Sequence, residues 1–423
     1  MCCDSVLEFI SCYVNEKYNF NDIHFNNYEM YLELKQYLEN NLNDSNCLLI
    51  LGDIYKYGIK VEQDINKAIE LYCEAVEDGN TRGLYNIASI YYSGFMVEKD
   101  LQKAFDIYSF ASEKGDSFSM NDLGYFYKHG ICVDKDEKKA FELFEKAYKL
   151  GDRLALVNIA NCYKVGCGVE IDTEKALNLL EEAAENGEMH ALYSLAHMYE
   201  KGDCVLMSYE KAFELYMQAA NKGLSKAINI VGNYYEFGII GEQNNEKALY
   251  WYLKAAMCGN SNAMFDLFRC YYEGIGTEIN DEEALYWLSK SVDYNNPVAM
   301  NTMGLFYANG NIVDVDYESA AKWYQKAIDY GNVEALCNLG FLYEEGLFFE
   351  QNYEKAVELY KTASDLGCGG ATYNLGLCYQ YGKGVEEDCH LALCLYYEAY
   401  MQGYEPAIDC YNELLESFGS DEE

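Results

Sequence analysis

Residues 155–190 decide the fold, and they read ALVNIANCYKVGCGVEIDTEKALNLLEEAAENGEMH. Alanine recurs with a step of 36 residues from Ala68 to Ala392, ten times in all, without an insertion or a deletion. Tyrosine and glycine keep the same step, and they stand at Tyr163 and Gly166 in this copy. Three registers of this kind show that the chain is built from ten repeats of one unit.

Each repeat opens with an amphipathic segment, here called helix A. We number each repeat from its first small residue, which is Ala155 in the copy above. Positions 1, 2, 5, 6 and 9 are apolar or small, a spacing that places them on one face of a helix. Glycine follows at position 12, and glycine readily adopts the left-handed conformation that ends a helix. Helix A is therefore predicted over the first third of every repeat.

A second segment, helix B, begins after position 18, which is Asp, Asn or Ser in every repeat. These residues are good N-caps, because their side chains accept the first N–H groups of a helix. Positions 22, 25, 26, 29 and 30 form its apolar face, and the small residues at 6, 22 and 29 let the two helices approach closely. Repeat seven departs from the pattern with Phe268, Ser291 and Asn295, of which Asn295 still suits a left-handed cap.

One such hairpin cannot bury its own apolar surface, whereas a stack of hairpins can. The predicted fold is all-α, an α/α superhelical solenoid of ten 36-residue helix–turn–helix repeats with capping helices at both ends. We assign residues 1–46 to an N-terminal helical cap, with helical patterns near residues 5–14 and 28–41. The repeats occupy 47–406, a capping helix 407–418, and a disordered tail 419–423.

The repeat resembles the Sel-one-like repeat, a relative of the tetratricopeptide repeat, whose period is 34 rather than 36 residues. The resemblance covers nearly the whole chain and implies an α/α superhelix that serves as a scaffold or adaptor. One subfamily is secreted and joins cysteines eight residues apart, a spacing that no pair of the 17 cysteines has here. Repeat four carries the motif at Ala155, Ile159, Ala160, Tyr163, Gly166, Gly168, Val169, Asp172, Lys175, Ala176, Leu179, Ala183, Ala184 and Gly187.

Charge and cysteine usage limit the partners and the compartment. The formal net charge is −39, so nucleic acid is an unfavourable partner and basic protein segments are favourable ones. The cysteines mostly replace Leu, Ile or Ala of neighbouring repeats, which favours reduced thiols in the core. With neither a signal peptide nor a membrane-spanning segment recognisable, we expect a cytoplasmic protein, in the host cytoplasm if the source is a virus or an intracellular bacterium.

A second face of helix A, at positions 4, 7 and 11, is the candidate binding surface, because helix A lines the concave wall of related solenoids. Asparagine is frequent there, and one carboxamide can both donate to and accept from a peptide backbone. Each residue alone could instead cap a helix, bridge adjacent helices A or face water. The candidate residues are Asn86, Asp122, Tyr125, Asn158, Asn161, Ser194, His197, Asn233, Phe237, Asp266, Arg269, Asn338, Phe341, Asn374 and Tyr381.

The sequence therefore predicts a scaffold that binds other proteins or peptides, and not an enzyme; it predicts no cofactor and no metal site. Two alternatives stay open: a hydrolase of the penicillin-interacting type proposed for cysteine-rich relatives, and a purely structural array that assembles with itself. Ser208 and Lys211 match the S-x-x-K motif of such hydrolases. Ser208 also occupies the N-cap position of its repeat. The oligomeric state and the identity of the partner are left open.

Overall fold

The computed structural model of the chain describes residues 28–420, which form 22 helices and no strand. The chain divides into two compact units, Met1–Asn260 and Ser261–Glu423, which we describe separately. Within each unit, a helix A is followed by an antiparallel helix B in every repeat, and hairpins stack on one another. The predicted all-α repeat solenoid is confirmed.

The first unit contains α1 (Tyr28–Asn40) and six hairpins. Its helices A are α2 (Ser45–Tyr57), α4 (Arg82–Ser93), α6 (Ser117–His129), α8 (Leu154–Val165), α10 (Met189–Lys201) and α12 (Ser225–Glu236). Its helices B are α3 (Ile65–Glu77), α5 (Leu101–Glu113), α7 (Glu137–Lys149), α9 (Thr173–Glu185), α11 (Tyr209–Asn221) and α13 (Asn245–Met257).

The second unit contains four hairpins and the terminal helix α22 (Ala407–Ser420). Its helices A are α14 (Ser261–Glu273), α16 (Pro297–Asn309), α18 (Glu334–Glu345) and α20 (Gly369–Tyr381). Its helices B are α15 (Asp281–Asp293), α17 (Tyr317–Asp329), α19 (Tyr353–Asp365) and α21 (Cys389–Met401).

The helix ends follow the sequence pattern. In all ten repeats the side chain at position 18 accepts a backbone N–H of helix B, as Asp172 does from Lys175 at 2.9 Å. Ser208 has this capping role too, and accepts from the backbone N–H of Lys211. Every glycine at position 12 has a positive φ, and Asn295 takes the left-handed conformation with φ 58°.

Small residues allow the close packing of the two helices of a hairpin. The ten alanines at position 22, from Ala68 to Ala392, are at most 1% exposed. A Cβ added to Gly304 would lie 2.5 Å from the ring of Tyr324, which is the position 26 residue of the same repeat. Position 26 therefore fills the space that the small residue at position 6 leaves open.

In repeat seven the sizes of the side chains at positions 6 and 26 are the other way round. Phe268 at position 6 is buried, and its ring stacks on Tyr272 at 5.5 Å between centroids and meets Phe306 at 5.7 Å. Position 26 of this repeat is Leu288 rather than an aromatic residue, and both belong to one core cluster. A large residue at position 6 is thus accompanied by a smaller one at position 26.

A lysine at position 21 lies over the tyrosine at position 9 in several repeats, a contact that sequence analysis did not identify. Lys103 lies 3.8 Å from the ring centroid of Tyr91, and Lys139 lies 3.9 Å from that of Tyr127. Such pairs are worth about 0.5–1 kcal/mol at exposed sites. They connect the start of helix B to the end of helix A within each hairpin.

The ends of the array are covered by helices. Leu34 and Leu38 of α1 are buried in the core cluster of repeat one. Leu414 of α22 is buried against Ala392 and Tyr396 of the last repeat. The helical pattern near residues 5–14 lies outside the described residues, as do 421–423. Helix α22 continues to Ser420, so the first two residues of the expected tail are helical instead.

The cysteines in the described part of the chain are free thiols, and six of them are buried in the core. Their positions match those at which other repeats carry apolar residues, as expected for cysteine acting as a small hydrophobe. Between residues 28 and 420, no helix has both the length and the apolar character needed to cross a bilayer.

Candidate functional site

Three of the four asparagines at position 4 connect the helices A of consecutive repeats. The Nδ2 of Asn158 donates to Oδ1 of Asn121 at 2.8 Å, and that of Asn338 donates to Oδ1 of Asn301 at 2.9 Å. In the last pair of repeats Asn374 donates to Sγ of Cys337 at 3.4 Å. Of the alternatives for single residues, bridging between adjacent helices A therefore describes these three.

The other candidate residues differ in exposure according to their position. Those at positions 7 and 11 include the exposed aromatic side chains Tyr125, Phe237, Phe341 and Tyr381, and the exposed His197. The half-buried ones are Asn86, Asp122, Asn161, Ser194, Asn233, Asp266 and Arg269. Among these, Asp266 and Arg269 form an ion pair at 3.8 Å, and Asn233 accepts from the hydroxyl of Tyr252 at 2.8 Å.

A cavity of about 170 Å³ opens on the helix A face of the first unit, between repeats two and three. It brings together three of the predicted residues, Asp122, Tyr125 and Asn158, with neighbours that the sequence did not indicate. Its lining is Tyr92, Tyr108, Asn121, Asp122, Tyr125, Phe126 and Asn158.

The carboxylate of Asp122 is the charged group of this cavity. The hydroxyl of Tyr108 and the side chain of Asn121 are its nearest uncharged polar groups, and Asn121 itself accepts a hydrogen bond from Asn158. Burial raises the pKa of Asp122 to about 6, and this effect outweighs the influence of the Tyr108 hydroxyl and of the positive charge of Arg82, which both lower it. Asp122 is thus ionised at pH 7 but held in a poorly solvated place.

The second unit has a cavity of about 320 Å³ on its helix A face, between repeats eight and nine. Its walls are mainly apolar, and Asn338 and Glu345 supply the polar groups of helix α18. Its lining is Leu305, Ala308, Asn309, Tyr317, Tyr324, Asn338, Phe341, Leu342, Glu345 and Leu347.

Both cavities occupy the same place in the repeat. In each, positions 10 and 26 of one repeat meet positions 4, 7 and 8 of the next. The sequence indicates positions 4 and 7 but not 10 and 26. Its pattern predicts that position 26 belongs to the buried face of helix B; the ring is indeed buried, but its outer edge reaches the helix A face.

The residue at position 10 decides where the tyrosine hydroxyl of position 26 points. Glu344 at position 10 accepts from Tyr360 at 2.9 Å, and Gln380 accepts from Tyr396 at 2.5 Å, each within its own repeat. Repeat two has Tyr92 at position 10, which is a poorer acceptor than a carboxylate, and there the hydroxyl of Tyr108 lies near Asp122 of the next repeat instead. The sequence therefore contains a signal for the direction of this hydroxyl, namely the combination of residue types at positions 10 and 26.

The chain consists of paired helices that stack through small buried residues, and its helices A present a common set of side chains. This arrangement defines a helical-repeat solenoid related to the tetratricopeptide class. Solenoids of this class are typically scaffolds for protein–protein interaction rather than enzymes. The chain belongs to the Sel1 repeat family, which matches it at residues 45–80, 81–116, 117–152, 153–188, 190–224, 225–260, 261–293, 297–332, 333–368 and 370–404.

Two solved structures illustrate how the chain compares with known proteins. The structure of c5321, a protective antigen of uropathogenic Escherichia coli strains with an SLR fold, is 25% identical, with a TM-score of 0.54 over 97% of this chain and 90% of that one. A Sel1 repeat protein from Oxalobacter formigenes is 28% identical over 59% of this chain and 98% of its own, with a TM-score of 0.46. A search of curated protein sequences found no match.

Proposed function

We propose that the chain is a protein-binding scaffold that holds an extended segment of a partner along positions 4 and 7 of consecutive helices A. The observation that supports this best is the presence, in each unit, of a cavity at the same place in the repeat. A cavity that accepts one side chain, next to a ridge of helices, is a common way to recognise an extended peptide.

The exposed aromatic residues would provide most of the binding energy. Tyr125 and Phe341 line the two cavities at position 7, and Phe237 and Tyr381 extend the surface at position 11. Aromatic side chains dominate the energetics of many interfaces because they bury a large area with little loss of conformational entropy. The asparagine bridges between helices A would keep this surface rigid, so that less entropy is lost on binding.

The net charge of −39 favours a partner segment rich in lysine or arginine, and disfavours nucleic acid. Buried thiols such as Cys47, Cys162 and Cys167, which form no disulfide, suit a reducing compartment, so we propose that the interaction takes place in the cytoplasm. The hydroxyl of Ser208 is engaged as a helix cap, which favours the scaffold over a hydrolase built on that serine.

The test begins with a library of random peptides displayed on phage and selected on the full chain. The affinities of the selected peptides are then measured for Tyr125→Ala and Phe341→Ala. Tyr148→Ala and Tyr286→Ala are matched controls, since both remove an exposed aromatic residue from a helix B. We expect at least one cavity variant to weaken each peptide by about ten-fold or more, which corresponds to a hot spot, and the controls to leave it unchanged.

Two outcomes would contradict the proposal. One is equal affinity of the selected peptides for all four variants and the unmodified chain, with circular dichroism showing an intact fold. The other is a larger loss in the helix B controls than in the cavity variants, which would place the binding surface on the opposite side.

A further inference from the structure

We infer that the cavity of the first unit receives the side chain of a lysine from the bound segment, with its ammonium group at Asp122 and its methylene chain between Tyr92 and Tyr125. This inference rests on the proposed function and names the residue that one of its two cavities selects. The cavity of the second unit has no carboxylate at the equivalent position, where Asn338 stands.

The cavity has the acceptors that an ammonium group requires. A carboxylate has roughly four lone-pair sites, and the nearby Tyr108 and Asn121 side chains can occupy at most part of those of Asp122, so acceptor capacity remains. The hydroxyl oxygen of Tyr125, which lines the same cavity, has lone pairs of its own. A lysine ammonium has three donors and no acceptor, and therefore matches this set.

The walls suit the rest of the side chain. Tyr92, Tyr125 and Phe126 surround the space with aromatic rings, whose faces attract cations and whose carbon atoms pack against methylene groups. The cavity of about 170 Å³ has room for the unbranched side chain of a lysine. The planar guanidinium of arginine is larger and forked, and fits this space less well.

A cation of the chain itself already lies near Asp122. Arg82 is placed with its guanidinium 3.3 Å from the ring centroid of Phe118 and 4.7 Å from that of Tyr85, next to the cavity rather than among its lining residues. Its charge lowers the pKa of Asp122, but burial raises that pKa by more. The ionised carboxylate is therefore only partly compensated, and a second cation placed directly on it would lower its free energy further.

The other titratable and charged groups around the carboxylate of Asp122 do not remove its preference for a second cation. Asp116 raises the pKa of Asp122, as expected for a second acid nearby. Three neighbouring tyrosines, Tyr85, Tyr92 and Tyr108, have pKa values raised by burial, so they stay neutral below about pH 9. They come from α4, which supplies Tyr85 and Tyr92, and from α5, which supplies Tyr108.

The chain uses the same chemistry internally. Lys139 lies over the ring of Tyr127 and its Nζ donates to the tyrosine hydroxyl at 2.6 Å. Lys175 and Tyr163 repeat this contact at 2.8 Å. In the cavity, a lysine of the partner would meet the same tyrosine surface together with a carboxylate.

The test uses the full chain and a capped pentapeptide with lysine at its centre and alanine elsewhere. Binding is followed by saturation-transfer NMR titration at pH 7.5, in parallel with pentapeptides that carry norleucine or arginine at the centre. Asp122→Asn removes the charge and keeps the shape of the side chain. Asp106→Asn is the matched control, because Asp106 is an exposed acid of the same repeat pair outside the cavity.

We expect the lysine peptide to bind most tightly and Asp122→Asn to weaken it about ten-fold, the usual effect of losing a hydrogen bond to a charged group. Because the pKa of Asp122 is about 6, lowering the pH from 7.5 to 5 weakens binding to the unmodified chain and leaves the variant unchanged. The control binds like the unmodified chain at both pH values.

The inference is overturned if Asp122→Asn and Asp106→Asn have equal effects, if norleucine or arginine binds more tightly than lysine, or if the pH dependence persists in Asp122→Asn. The peptides selected by phage display separate this failure from that of the proposed function. If they still depend on Tyr125 or Phe341, the scaffold proposal stands and only the lysine assignment falls.

Discussion

The two cavities are the same construction with different side chains. Each lies where positions 10 and 26 of one repeat meet positions 4 and 7 of the next. Position 26 is tyrosine in both, Tyr108 in the first unit and Tyr324 in the second. Position 10 is Tyr92 in one and Ala308 in the other, and the cavity with alanine is larger, 320 against 170 Å³.

The difference shows how an array of repeats can vary the side chains of a cavity without changing the packing of its hairpins. The residues that hold the hairpins together are the alanines at position 22 and the small residue at position 6, and these are of similar size on both sides of the comparison. Positions 4, 7 and 10 face the cavity and can change freely. Asp122 places a carboxylate at position 4 in the first cavity, whereas the second has the neutral Asn338 there and its carboxylate, Glu345, at position 11.

The largest expected effect tests the part that the cavities share. Tyr108→Ala and Tyr324→Ala each remove a fully buried ring, and we expect each to lower the free energy of unfolding of its unit by about 3–5 kcal/mol. Hydrogen exchange of the surrounding amides is the suitable measurement, because repeat arrays depart from two-state unfolding. A loss below about 1 kcal/mol in either variant would show that the ring is not part of the core.

The next largest effect is expected when the second cavity is given the side chains of the first. In an Asp122→Asn background, Ala308→Tyr together with Asn338→Asp should restore binding of the lysine pentapeptide in the second unit, a gain of about ten-fold. Asn338→Asp also removes the donor to Asn301, so a modest loss of stability accompanies it. The single change Ala308→Tyr is the control, and lysine binding that it restores alone would show that the acid is unnecessary.

The two cavities also show which contacts the sequence could predict and which it could not. The helices, their caps and the alanine core depend on neighbours within one repeat, and a 36-residue register displays them directly. The hydrogen bonds between asparagine side chains join residues 37 apart, such as Asn121 and Asn158, which are at position 3 of one repeat and position 4 of the next. A pattern that aligns positions 36 apart does not show such a pair. The direction of the Tyr108 hydroxyl depends on contacts between repeats, which are set by packing rather than by local pattern.

A smaller effect concerns the stability cost of the acidic cavity. The pKa of Asp122 is raised from 3.8 to about 6, so the protonated form is favoured in the folded state. The stability that this group contributes is full below pH 4 and is lost as the pH rises through 6. At pH 7, Asp122→Asn should therefore raise the free energy of unfolding by about 1–2 kcal/mol, allowing for partial exposure of the carboxylate.

The measurement is hydrogen exchange of the amides around Asp122 in both proteins across pH 4 to 8, corrected for the intrinsic exchange rate at each pH, because it gives the local free energy of opening without assuming two-state unfolding. The advantage of Asp122→Asn should shrink as the pH falls and vanish near pH 4. An advantage that stays constant with pH, or a variant less stable than the unmodified chain at pH 7, would contradict the assigned environment. Asn338→Ala in the second unit should show no such pH dependence.

The smallest effect concerns the bridges themselves. Asn158→Ala and Asn338→Ala each remove one side-chain hydrogen bond between helices A, and we expect losses of about 0.5–1.5 kcal/mol in local stability. Their peptide affinities should fall by less than those of Tyr125→Ala and Phe341→Ala. A larger loss of affinity in the asparagine variants would restore asparagine as the direct contact to the partner.

The binding face is tested most directly by a crystal structure of the full chain with one of the selected peptides. We expect the peptide to run across positions 4 and 7 of consecutive helices A and to place one side chain in the cavity beside Tyr125 or the one beside Phe341. A peptide bound along the helices B, with both cavities unfilled, would contradict the proposal.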